Sequence, residues 1–547
     1  MEYTFSIDFG TSNTVISYLN ESDNIKYIND KNNGEILIPS TIYFNKESIN
    51  ENNTISNLKY KENYTIGYTA NDNYKTINNN KSYFFQFKRF LGINNNSTKS
   101  SFDFIKKYNL EHTVDEESIY FYIPTIDDNI NIKCSIIELI NFYLNGIYEL
   151  ICDSLNLKDM LNTFITTPAF FNDLQKNQLK TSFNKSNFNV LKIYNEPTAA
   201  SVYYVNKYYK DSISDSKFII FDLGCGTLDI TTLLYNSSNK LVEILDVYGN
   251  NSLGSLDIDN IIINNIYEKY NIDMNNLKWK NKIRQYAEEI KIKMTYVDNY
   301  DIILENVPIN KNNNITILEY LKISYSKNYF NMIISDIVNI IIEPLKEIII
   351  KNNNIIDIVF VGGGSLIELI RTKSQSICKI NNNILSEPLL YKTIVSNGAC
   401  LMYKIIKNKE DFCMIDIVPM DIGIMSTNNN IINIIPKNSK IPIQKEFTFT
   451  TSHDSQKIID FEIYENTNSI YSYYITGLPS FKRGAILIKI LFKIDNNGLL
   501  NLTIDGVKNT QNGEHSKLDF NFHKNIKLIP KYKMKNLLKL LGKKYIL

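Results

Sequence analysis

The sequence predicts a duplicated α/β fold followed by an antiparallel β-sandwich, and three observations carry that expectation. The first is a repeated hairpin: residues 3–19, "YTFSIDFGTSNTVISYL", and residues 217–235, "KFIIFDLGCGTLDITTLLY", share one plan. Each has an apolar strand, an Asp-x-Gly, a small or hydroxyl-bearing tip and a returning strand. Two such hairpins far apart in the chain suggest a duplication whose halves face one another. The second is "IIDIVFVGGGSLIELI", residues 355–370, which reads as a strand, a glycine turn and a helix beginning near Ser365. Glycines at such a turn let a ligand approach the backbone and the helix N-terminus. The third is a change of texture from about residue 417. Alternating runs such as "EFTFTTS", "IIDFEIYE" and "ILIKILFKID" are separated there by turn residues, the pattern of an antiparallel sandwich.

Between these elements, "EDFCMID", residues 410–416, sets an apolar tetrad between acids, and "IPKYKMKNLLKLLGKKYIL" after the sandwich offers one short basic amphipathic helix. The Asn-rich stretches near 45–80 and 94–100 read as loops of biased composition.

The whole-chain properties bound the function classes. At 547 residues and 63.5 kDa, three or four domain-sized units are expected. Hydrophobic residues at 44% and charged residues at 21% are a globular balance, and the net charge of +1 points to no nucleic-acid partner. The six cysteines, Cys134, Cys152, Cys225, Cys378, Cys400 and Cys413, lack CxxC spacing, so a reducing compartment without structural zinc is expected. "MEYTFSIDFG" does not read as a signal peptide, and "IVNIIIEPLKEIII" is interrupted by Glu343, Pro344, Lys346 and Glu347, so neither a signal peptide nor a membrane span is expected. The expected setting is cytoplasmic.

Two facing Asp-x-Gly hairpins suit a nucleoside triphosphate. Their N–H groups and the hydroxyls of Thr11, Ser12 and Thr227 can grip phosphate, while carboxylates hold hydrated magnesium. A lysine near the terminal phosphate and a placed water would complete the chemistry.

The motifs go further. "IDFGTSNT", "FDLGCGTLD", "VGGGS", "FQFKRFLG", "TTPAFFNDLQKNQLK", "NEPTAAS" and "LGSLDID" resemble, in order and spacing, the 70-kDa heat-shock protein family of peptide-binding ATPase chaperones. "FTFTTSHDSQ", "ITGLPSFKRG" and "FKIDNNGLLNLTI" extend the resemblance to about residue 527. It implies an actin-like, two-lobed α/β ATPase domain over residues 1–408 and a linker over 409–416. A peptide-binding β-sandwich over 417–527 and a vestigial lid helix over 528–547 follow.

It also implies site roles. Lys88 and Glu196 would position the attacking water, with Asp229 and Thr227 assisting, and Asp8 and Asp222 would hold Mg2+ through water. ATP or ADP would be contacted by Gly10, Thr11, Ser12, Asn13, Gly224, Cys225, Gly226, Glu288, Lys291, Thr295, Gly362, Gly363, Gly364 and Ser365. Ile424, Phe449, Ile459 and Phe461 would line a pocket for a peptide's apolar side chain, arched over by Thr427 and Ser452. Pro168, Lys176, Phe412, Met414 and Asp416 would couple the domains. The implied partners are unfolded or apolar peptide segments, a J-domain co-chaperone and a nucleotide-exchange factor, with no nucleic acid or membrane.

Several positions depart from the family. Ile292 and Leu366 stand where arginines sandwich the adenine, Lys176 replaces an arginine, and Lys392 stands where an acid is usual. Cys225 stands where glycine is usual, tolerable if φ is negative and the side chain points away from phosphate. These departures keep open a second reading, a nucleotide-dependent binding or assembly module with little or no turnover. A sugar-kinase relative would share the hairpins but leave "EDFCMID" and the sandwich unexplained.

Overall fold

The computed structural model describes residues 3–530 except 78–79, 96, 98–104, 106–109, 128, 274, 312–313, 353, 379–386, 427, 510–515 and 518–525. Two mixed sheets of one design dominate it. In the first, Thr4–Phe9 pairs antiparallel with Asn13–Leu19 and parallel with Leu161–Thr167, which pairs in turn with Phe188–Asn195. In the second, Ser216–Leu223 pairs antiparallel with Leu228–Asn236 and parallel with Ile355–Val361. The turns close identically: the Gly10 N–H donates to Asn13 O at 3.0 Å, and the Gly224 N–H to Thr227 O at 3.0 Å. The duplication expected from the sequence is thus present in topology and in turn hydrogen bonding.

Each sheet has its own core. Phe5, Ile7, Phe9 and Ile165 belong to one, and Ile220, Phe221, Ile230 and Phe360 to the other. Those strands are buried on both faces, which is why they read as continuous apolar runs. Helices cover the sheets, and their ends are capped by the residue types that suit them. The Ser135 hydroxyl accepts from the Glu138 N–H at the start of Ile136–Leu155, and Asn172 accepts from the Gln175 N–H before Asp173–Asn184. Helix Leu390–Asn408 crosses Glu196–Tyr208 so closely that a Cβ at Gly398 would overlap the Ala199 carbonyl.

Residues 64–77 correct the loop expectation. Tyr64–Ile66 is a strand and Gly67–Ile77 a helix whose buried Ala70 and Tyr74, four residues apart, pack beside Tyr43. The helix expected near Ser365 begins later: Gly363–Leu366 is a 3-10 turn and the α-helix is Glu368–Cys378.

From Ile422 onward two antiparallel sheets enclose a third core, including Ile463, Ile475, Ile488, Ile490 and Phe492. Alternation along Ile486–Ile494 puts every second residue inward. Lys527–Pro530 is the strand that pairs with Asn468–Thr476. The lid helix expected over 528–547 therefore does not begin at 528, and its remainder, 531–547, lies outside the described residues.

The sandwich is docked. Cys413–Ile415 adds a parallel edge strand to Leu241–Asn250, in the same sheet as the Asp222 hairpin. Leu499, from a sandwich turn, is buried in the core of the first α/β sheet. No described helix is long and apolar enough to cross a membrane.

Candidate functional site

A cavity of about 180 Å³ opens between the two α/β units. Of the expected nucleotide and catalytic residues, Asp8, Gly10, Thr11, Ser12, Asn13, Lys88, Glu196, Asp222, Gly224, Cys225, Thr227, Glu288, Lys291, Thr295, Gly362, Gly363 and Gly364 line it. Three do not. The Ser365 hydroxyl is buried and donates to Val361 O at 2.6 Å, so it holds the glycine turn together. Gly226 is packed instead of lining the cavity, because a Cβ there would press on Thr11 Oγ1 and Arg89 Cδ, each at 3.0 Å. Asp229 lies a layer back, directly across the hairpin from Asp222, where its Oδ1 accepts the Phe170 N–H at 3.2 Å.

Four carboxylates gather near Lys88: Asp8, Glu196 and Asp222 on the cavity wall and Asp229 a layer back. Lys88 is 3% exposed, and its Nζ donates to Glu196 Oε1 at 2.8 Å between the rings of Phe9 and Phe171. Thr166 donates to Asp8 Oδ1 at 2.9 Å. Burial, then the charge of Glu196, pushes Asp8 and Asp229 each up to about 7. Burial also drives Asp222 well above the carboxylate range, with Glu196 and Asp229 adding repulsion. So much desolvated negative charge with one lysine is a demand for a cation. No described trio of His, Cys, Asp or Glu is close enough to ligate a metal directly. Asp8 and Asp222, both on the cavity wall, are oxygen donors of the kind that would hold magnesium through its waters.

The opposite wall is helix Leu277–Lys293 and the residues just after it. Lys291 Nζ pairs with Asp259 at 2.7 Å, inside the unit, leaving Glu288 on the cavity face. Ile292 and Leu366 line the cavity as aliphatic surfaces, joined by Tyr296. Gly362 takes φ +82°, and a Cβ there would stand 2.7 Å from Asp222 Oδ1, so the turn requires glycine.

Cys225 lines the cavity among the residues expected there, and its φ is not positive. The thiol lies 4.0 Å from Gln86 Nε2, and burial pushes it up to about 11.

Leu37, Tyr391 and Val395 also line the cavity without having been expected there. Tyr391 and Val395 are four apart on helix Leu390–Asn408, so a helical stripe flanking Lys392 was the available signal.

The coupling residues gather where the sandwich docks. Asp416 Oδ2 accepts from Asn195 at 2.8 Å and Thr198 at 3.1 Å. Asp173 Oδ2 accepts the Tyr471 hydroxyl at 2.6 Å, Asp173 Oδ1 accepts the Leu500 N–H at 2.6 Å, and the Asp173 N–H reaches Glu465 Oε1. Lys176 is 3% exposed among Asp173, Asp416 and Glu465. Burial, with Asp173 next, lifts Glu465 to about 8. Phe412 and Met414 face the second core while Cys413 is exposed. Pro168 follows strand Leu161–Thr167, and its carbonyl accepts the Phe171 N–H at 3.2 Å.

The residues expected at a peptide pocket pack into the sandwich core in this docked arrangement. Ile424, Phe449, Ile459 and Phe461 are each under 10% exposed, with the two phenyl rings 4.6 Å apart. Ser452 is exposed, and Thr427 lies outside the described residues.

Two α/β units that share a cleft with a buried lysine–carboxylate centre, docked to a β-sandwich, define a two-part protein. The family model described as Hsp70 protein matches residues 4–527, and the chain belongs to that family. It is similar to the chaperone protein HscA of Buchnera aphidicola subsp. Baizongia pistaciae, 29% identical over 93% of this chain and 93% of that one. It is also similar to the chaperone protein dnaK of Phaeodactylum tricornutum, 26% identical over 91% of this chain and 78% of that one. The heat shock cognate 70 kDa protein 3 of Dictyostelium discoideum is 28% identical over 64% of this chain and 57% of its own length. Members of the Hsp70 family are ATPases that bind nucleotide with Mg2+.

Proposed function

We propose that this chain is an ATP-dependent chaperone that binds exposed apolar peptide segments in its sandwich and hydrolyses ATP slowly in the cleft. The observation that carries this reading is the linker strand. Cys413–Ile415 extends the sheet whose hairpin bears Asp222 and Asp229, so a change at the phosphates and a change in docking act on one hydrogen-bonded sheet.

In this mechanism Thr11, Ser12, Thr227 and the turn N–H groups bind phosphate, and Asp8 and Asp222 orient the waters of magnesium. The metal, when bound, neutralises charge on the phosphates. The Lys88 ammonium stands beside the transferring phosphoryl group, and Glu196 holds that ammonium and orients the attacking water. In-line attack breaks the bond between the terminal phosphorus and the bridging oxygen and yields ADP and phosphate. Docking of the linker and sandwich accompanies ATP, and release of docking lets Ile424, Phe449, Ile459 and Phe461 close on a peptide side chain. A J-domain partner and a nucleotide-exchange factor fit this cycle, and the setting is cytoplasmic.

A single-turnover ATPase measurement with and without an apolar peptide tests the proposal. Wild type is expected to hydrolyse ATP and to be accelerated by peptide. A chain with Phe412→Asp and Met414→Asp should hydrolyse at the basal rate without acceleration. Acceleration surviving in that variant would reduce the linker to a tether. The second reading, a nucleotide-dependent binding or assembly module with little turnover, draws on the Cys225 thiol in the cleft and the aliphatic Ile292 and Leu366 walls. Tight ATP binding with no hydrolysis would favour it.

A further inference from the structure

Three lysines line the cleft, and two are neutralised: Lys88 by Glu196 at 2.8 Å and Lys291 by Asp259 at 2.7 Å. Lys392 is different. It is half-buried and has no ion pair with any carboxylate of the described residues. It also sits in the first turn of helix Leu390–Asn408, the positive end of the helix dipole, where the Leu390 and Lys392 N–H groups are met only by the backbone carbonyls of Glu387 and Leu389. A desolvated ammonium at that end of a helix is costly unless an anion meets it.

Its position says which anion. Gly362 abuts the Asp222 carboxylate, and the next residue, Gly363, abuts Lys392: a Cβ there would lie 3.6 Å from Lys392 Cε. Lys392 also senses the charges of Glu288 and Lys291, which belong to the helical wall beside Ile292, and of Glu35. The ammonium therefore stands between the acidic, metal-binding end of the cleft and the aliphatic end. A nucleotide laid along that line places its ribose-proximal phosphate there.

We propose that Lys392 binds the α-phosphate of the nucleotide, anchoring the ligand by an ammonium at the glycine turn in a cleft whose base-facing walls, Ile292 and Leu366, carry no charge. This rests on the nucleotide reading of the cleft and names a specificity element within it. Burial and the nearby Lys291 hold the Lys392 ammonium below the usual lysine range, partly opposed by Glu288 and Glu35, so an arriving phosphate meets an under-compensated cation. The ligand class is a nucleoside mono-, di- or triphosphate, with the bare nucleoside discriminated against.

The test is calorimetric titration of adenosine, AMP, ADP and ATP into the full chain as wild type, Lys392→Met and Lys392→Arg. The methionine variant should bind AMP, ADP and ATP about tenfold more weakly, the scale of one charge-assisted contact, and adenosine unchanged. Arginine should restore most of the loss. The unliganded methionine variant should unfold at the wild-type temperature or above it, because an unpaired charge has been removed. Undiminished AMP and ADP binding, an equal loss for adenosine, or a less stable unliganded variant would each overturn the proposal. Wild type that bound neither ADP nor ATP would reject the nucleotide reading itself. Equal nucleotide affinity in wild type and Lys392→Met would reject the role of Lys392 alone.

Discussion

Replacing Lys88 by methionine removes the ammonium paired with Glu196 from a group of four carboxylates. At 2.8 Å the Lys88–Glu196 attraction is about 6 kcal/mol for an effective dielectric of 20. Desolvation of both ions offsets part of it, and removing one partner of a buried pair costs about 3–5 kcal/mol in net stability. Lys88 also lowers the pKa values of Asp8, Asp222 and Asp229, so all three rise further without it. The sign follows. Carboxylates whose folded pKa lies above the unfolded value give stability that is complete at acid pH and is lost as pH climbs through the folded value. Asp8 and Asp229 start near 7, so the window runs from about pH 4 to above pH 7. The expected result is a variant whose α/β part is destabilised by about 3 kcal/mol at pH 8 and by clearly less at pH 6, because protons substitute for the ammonium. Turnover should fall at least 100-fold, about 3 kcal/mol of transition-state stabilisation, while ATP still binds. Denaturant unfolding at the two pH values, together with single-turnover hydrolysis, checks both parts. Unchanged turnover, or a stability loss equal at pH 6 and pH 8, would refute the reasoning.

Arginine installed at both Ile292 and Leu366 should tighten ATP binding by about 1 kcal/mol through cation–π stacking on the base, read by titration; no gain would remove the base from that wall. Cys225, at about 11, should label slowly near pH 8 and faster toward pH 10, and ATP should protect it. A Cys413→Ser background is needed for that labelling, because Cys413 is exposed on the linker strand. Labelling indifferent to ATP would place the thiol outside the nucleotide's reach. Docking should weaken as pH rises from about 5 through 8, because Glu465 is held near 8 only while buried beside Asp173. Glu465→Gln should flatten that dependence in an interdomain fluorescence-transfer assay, and an unchanged slope would assign it elsewhere.

What the sequence by itself determined was local. Strand–turn–strand chemistry around Asp8 and Asp222, the glycine turn at 362–364 and the alternation of the sandwich depend on neighbours a few residues apart, so pattern and turn residues suffice to read them. The pairing of Lys88 with Glu196 was reachable only through the family's motifs, because 108 residues separate them. Helix Gly67–Ile77 was hidden by asparagine-rich composition, and tertiary packing of Ala70 and Tyr74 overrode the weak propensity. The burial of Ser365 behind its turn and the seating of Leu499 in another unit's core were decided by tertiary structure alone. So was the meeting of Lys392 with Gly363. Each depends on which distant surfaces meet, and no local spacing encodes that.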